Sequence, residues 1–84
     1  MALALDDVSP GLHVVHYWDG NEDVLEILSG PVDHTFTAAD TRPMTVPAFE
    51  VKCLSDGNVH WRSTYFLGLA PDKGAWSGNH LTRA

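Results

Sequence analysis

The chain has 84 residues, 44% of them hydrophobic, and a formal charge of −6, which is room for one domain with a modest core. The acids concentrate in residues 1–42, which carry −7 against +1 for residues 43–84; such a surface repels a phosphate backbone and argues against direct nucleic-acid binding. No apolar run approaches the ~20 residues of a membrane-spanning helix, the opening residues lack the basic region of a secretion signal, and Cys53 has no second cysteine to pair with, so a cytoplasmic protein without membrane contact is expected.

In chain order, residues 1–10 read as an irregular arm closed by the turn Ser9-Pro10-Gly11. The first strand is predicted over Leu12–Trp18. Leu12, Val14, His16 and Trp18 face one way, and His13, Val15 and Tyr17 the other. Both sides are largely apolar, as in a strand covered on two faces. Asp19-Gly20-Asn21 is a hairpin turn, and the same triplet recurs as Asp56-Gly57-Asn58. Glu22–Ser29 admits two readings. Asn21 can cap a short helix with Gly30 just past its end, but eight residues make a weak helix and the preceding turn favours a return strand. The strand is preferred.

Val32–Ala38 alternates as a strand, with Val32, His34, Phe36 and Ala38 on one side. A loop at 39–43 leads to a strand from Met44, in which Pro47 removes a ladder donor and marks an edge or a bulge. The strongest hairpin signal is Phe49–Leu67, where Asp56-Gly57 separates two alternating runs. A three-residue loop, Ser55-Asp56-Gly57, with Gly57 at positive φ, sorts the faces best. It puts Phe49, Val51 and Cys53 with Val59, Trp61 and Tyr65 on the core side, and pairs Glu50 with Arg62 on the other. A turn follows at Pro71–Gly74, then a short strand or tail over Ala75–Leu81, where Trp76 offers something to bury. The sum is an all-β protein of five or six short antiparallel strands, a small barrel or sandwich. Its small core favours a homo-oligomer.

Asp19-Gly20-Asn21-Glu22-Asp23 offers oxygen ligands at alternate positions, as a calcium loop does at its start. Val24 stands where that loop needs glycine, and Gly30 where it needs a bidentate glutamate. His13 and His16 fall on opposite faces of one strand. His16, His34 and His60 read as hydrogen-bonded structural histidines, with Cys53 facing away from His60, so no metal is expected. Gly74-Ala75-Trp76-Ser77-Gly78 misses the spacing of a nucleophile elbow, and Cys53 reads as a buried, inert thiol. No catalytic residue and no cofactor are expected; the enzymatic alternative is a small oligomer with its site at a subunit interface.

Tyr17, Trp18, Asp19, Asn21 and Trp61 are the candidate ligand-binding residues. Aromatic faces beside carboxylates and amides stack on sugar rings or enclose cations. The functional expectation is a non-enzymatic interaction domain whose acidic, aromatic face holds a protein partner or a second copy of itself. The alternative is a small-ligand binder for a sugar or a cationic compound.

Overall fold

A computed structural model describes residues 2–69 and 78–84. Its strands are β1 (His13–Trp18), β2 (Asn21–Phe36), β3 (Met44–Cys53), β4 (Val59–Ser63) and β5 (His80–Arg83). They form one antiparallel sheet in the order β4-β3-β2-β1-β5. The expected all-β architecture is present, as an open sheet and not a closed barrel. No helix among the described residues is long and apolar enough to cross a membrane.

The β1–β2 turn has Asp19 at φ 46° and Gly20 at φ 77°. Two left-handed residues give a two-residue loop whose twist matches the flanking strands, and Trp18 pairs with Asn21 across it. Residues 22–29 are strand, and the helical alternative is overturned: β2 is paired on both sides there, to β1 and to β3. Gly30-Pro31 does not divide two strands. β2 runs through it for 16 residues, with register shifts between Ile27 and Ser29 and between Ser29 and Val32. A proline without an N–H is tolerated at such a bulge. Gly30, at φ +117°, has no room for a side chain, since a Cβ would lie 2.7 Å from the Ala48 carbonyl oxygen.

The β3–β4 hairpin corrects the expected register by one residue. Glu50 pairs with Trp61, Phe49 with Arg62 and Val51 with His60. The reason lies in the loop. The Gly57 N–H donates to the Cys53 carbonyl at 2.7 Å and the Cys53 N–H to the Asn58 carbonyl at 2.8 Å, which closes a four-residue loop, Leu54–Gly57. Gly57 does take a positive φ, 76°, and the Asp56 carboxylate accepts from the Asn58 N–H at 2.8 Å. One added loop residue exchanges the faces of β4. Trp61 therefore leaves the core side, His60 and Arg62 join it, and Glu50 loses Arg62 as its opposite number. Tyr65 lies beyond the end of β4.

The core sits on one side of the sheet. Val14, Leu25, Ile27, Phe49, Val51, Cys53 and Leu81 point there from the strands, and Val8, Leu67 and Leu69 close over them. Leu3, Leu5 and Leu12 pack against this cluster from the N-terminal arm, which carries a short 3-10 turn at Leu5–Asp7. Gly68 lets the segment after β4 press against the chain entering β5: a Cβ there would overlap the Asn79 carbonyl. The expected turn at Pro71–Gly74 and the placement of Trp76 lie outside the described residues. β5 starts at His80.

Candidate functional site

The covered side of the sheet holds a polar cluster built from three strands and the segment after β4. His16 points inward from β1, opposite Asp23 on β2, and is fully buried. Its Nδ1 lies 2.8 Å from Arg62 Nη1, and its Nε2 lies 3.0 Å from the Phe66 carbonyl oxygen. A guanidinium only donates, so Nδ1 is the acceptor and Nε2 carries the proton given to Phe66. Arg62 Nη1 also reaches Asp23 Oδ2 at 3.1 Å, and Trp18 Nε1 donates to the same oxygen at 2.8 Å. The rings of His16 and Phe66 meet edge to face at 4.9 Å, and the Arg62 guanidinium sits 5.7 Å from the Phe66 ring centroid.

The electrostatics follow from this packing. Burial, assisted by the positive charge of Arg62, pushes the His16 pKa down to about 4, against the opposing pull of the Phe66 carbonyl. At Asp23, desolvation pushes upward, but the bonds from Trp18 and Arg62 and the charge of Arg62 prevail, holding the carboxylate below its usual range. Both nitrogens of His16 are committed to neighbours, and among the described residues no buried side-chain polar atom lacks a partner. The cluster acts as a polar clasp between β1, β2 and β4.

The opposite side is open. Among the described residues five large apolar side chains remain well exposed, Val24, Val32, Met44, Leu54 and Val59, between 40% and 62%. The register places them all on the side away from the core. Val24 neighbours the inward Leu25, Val32 pairs with Ala48, Met44 with Phe36, and Val59 with Lys52. Leu54 continues the β2–β3 ladder by donating to the Val24 carbonyl at 2.9 Å. Two ring stacks share this face. Trp61 lies on His34 with centroids 4.4 Å apart and planes 9° apart, and Tyr17 lies on His80 at 4.8 Å. Glu22, Glu26, Glu50 and Lys52 supply its charges.

The candidate ligand residues are thus divided. Tyr17, Trp18 and Asn21, with Gly20, Glu22 and Gly78, line a surface depression of about 320 Å³ beside the β1–β2 turn. Asp19 lies in that turn, its carbonyl accepting from the Asn21 side chain at 3.3 Å. Trp61 does not join them. It is three strands away, roughly 14 Å at ordinary strand spacing, and on the other face from Trp18, so the pocket expected between Trp18, Tyr17 and Trp61 is not formed. The histidines are divided too: His16 is buried, His34 lies on the open face, and His60 is exposed. In the observed register His60 shares a side with Cys53, contrary to expectation. The Cys53 thiol is buried and contacts Ser55 Oγ at 3.2 Å.

Sequence reading missed the clasp because its members come from three separate segments. One signal was available: Arg62 and His16 are polar residues at strand positions, and a polar group turned inward needs a partner.

No family model matches the chain, and no solved structure matches it. Two sequences of transferrin-binding protein A from Neisseria meningitidis serogroup B are each 37% identical to it over 59 residues. The similarity covers 70% of this chain and 6% of that protein's length.

Proposed function

We propose that the protein is a non-enzymatic interaction domain whose open sheet face docks a protein partner. One observation carries this reading: the well-exposed large apolar residues gather on a single face, with the Trp61–His34 and Tyr17–His80 stacks beside them. Singly scattered apolar residues need no explanation, whereas a shared patch rimmed by charge is the usual mark of a docking surface. The carboxylates Glu22, Glu26 and Glu50 give that face its acidic character. The partial similarity to a transferrin-binding protein makes transferrin the first protein probe to try.

A second reading rests on the depression beside Tyr17, Trp18 and Asn21, which is large enough for a small sugar or a quaternary amine. One pair of titrations separates the two. The chain is immobilised and exposed to transferrin and to other candidate proteins, as wild type and as the Val24→Glu/Val59→Glu variant. Tryptophan fluorescence is titrated in parallel with sugars and quaternary amines. Protein binding that the double variant abolishes supports the face. Saturable quenching by a small molecule, without protein binding, contradicts it in favour of the depression.

A further inference from the structure

We infer that the occupant of the open face is a second copy of this chain, packed sheet to sheet about a twofold axis that runs along the strands between β2 and β3. The inference rests on the reading of that face as a docking surface and names its partner.

The central rows of the open face are complementary to themselves. A twofold axis in this position exchanges β2 with β3, so each residue of β2 meets what stands opposite it on β3 of the other copy. Leu25 pairs with Cys53 and Glu26 with Lys52, so on the open side Glu26 lies beside Lys52 and Val24 beside Leu54. Under the exchange Glu26 of each copy faces Lys52 of the other, and Val24 faces Leu54. Two opposite-charge contacts and two apolar contacts result from one operation in these two rows. A face carrying only one sign at its centre would repel its own copy. Here the central row carries one of each.

Glu26 and Lys52 are also free to make these contacts. The ion pair found among the described residues joins Arg62 to Asp23 on the other side of the sheet, and Glu26 and Lys52 make none. Size fits a small interface. Five strands at about 4.8 Å spacing and six residues at about 3.4 Å each give a face of roughly 480 Å² before side-chain relief is counted. Two such faces together bury roughly 960 Å², close to the ~1,000 Å² total of the smallest specific interfaces. Two twisted sheets stacked in this way form an aligned sandwich about 10 Å between layers. Such an assembly gives the small chain a second core.

Sedimentation equilibrium on the full chain tests this, with three samples besides wild type: Glu26→Lys, Lys52→Glu, and the two variants mixed in equal amounts. Wild type is expected to sediment as a dimer. Each variant alone opposes like charges twice across the interface and should dissociate at least about tenfold more readily. In the mixture every cross-interface contact is again between opposite charges, so dimers should return to near wild-type strength. Circular dichroism confirms that each variant keeps its sheet. Val24→Glu, which buries a carboxylate against Leu54 of the other copy, should also give monomers and serves if a charge variant fails to fold. A monomeric wild type, or a mixture that stays dissociated while wild type dimerises, overturns the inference. If wild type is monomeric yet binds another protein through Val24 and Val59, the docking face stands and only the self-pairing falls.

Discussion

Arg62 Nη1 lies 2.8 Å from His16 Nδ1, although 46 residues separate them in the chain. The contact requires a neutral imidazole, because protonating Nδ1 would turn an N–H toward a guanidinium N–H and set two positive charges together. The folded-state pKa of His16, about 4, lies below its ordinary value of 6.5, so the unfolded chain binds the proton more readily. Stability is then full above pH 6.5 and declines as the pH falls toward 4, by about 3 kcal/mol in all. Asp23 adds a further loss at more acid pH, as protonation of its depressed carboxylate breaks the bonds from Trp18 and Arg62. Urea unfolding at a series of pH values measures the slope, and His16→Gln should flatten it between pH 6.5 and 4.

Removing the guanidinium leaves His16 and Asp23 without their shared partner. Arg62 is partly buried and its loss opens one end of the clasp, so Arg62→Ala should cost about 2–3 kcal/mol, somewhat less than a fully buried pair. The same change removes a neighbouring positive charge from His16, and its pKa should move upward while staying below the ordinary value because burial remains. An NMR titration of the imidazole reads that shift separately from stability.

Two glycines at positive φ should respond differently to the same substitution. Gly57 faces open space, so Gly57→Ala carries only the left-handed backbone penalty, about 1 kcal/mol, and Gly57→Val about 1–2 kcal/mol. Gly68 carries that penalty too, and its Cβ would overlap the Asn79 carbonyl. Gly68→Ala should therefore cost roughly 3 kcal/mol or more and loosen β5 from β1. Thermal melts of the three variants check the ranking.

Much of the sheet was legible because its turns declare themselves. Asp19-Gly20 supplies the two left-handed residues a short hairpin needs. The inward side of β1 was not legible, because both its faces are largely apolar and read as covered, whereas the core lies only on the side of Val14 and His16. The register of β4 was not legible from Asp56-Gly57. That pair closes loops of three or of four residues, and the choice is made by the Gly57 N–H reaching back to the Cys53 carbonyl. The three-residue alternative looked better because it matched Glu50 with Arg62, whereas Arg62 is held by His16 and Asp23. Gly30-Pro31 read as a break because local composition does not show that neighbours on β1 and β3 carry the strand past a bulge. Of the candidate ligand residues, Tyr17, Trp18 and Asn21 do gather near the β1–β2 turn. Trp61 was misplaced by the same one-residue slip.

That slip can be tested by a single substitution. A core-facing tryptophan truncated to alanine costs about 3–5 kcal/mol. On the open face, stacked on His34, Trp61→Ala should cost about 1–2 kcal/mol. Denaturant midpoints followed by circular dichroism distinguish the two values.

The sidedness of the sheet, and the use made of its open side, can be read together from methyl NMR signals in the presence of a soluble paramagnetic gadolinium chelate. In dilute solution Val24, Val32, Leu54, Val59 and Met44 should broaden strongly, while Val14, Leu25, Ile27, Val51 and Leu81 stay sharp. Raising the protein concentration should then shield Val24 and Leu54 as copies pair. Broadening of the Leu25 and Val51 methyls, or equal broadening of Val24 and Leu54 at every concentration, would contradict this account.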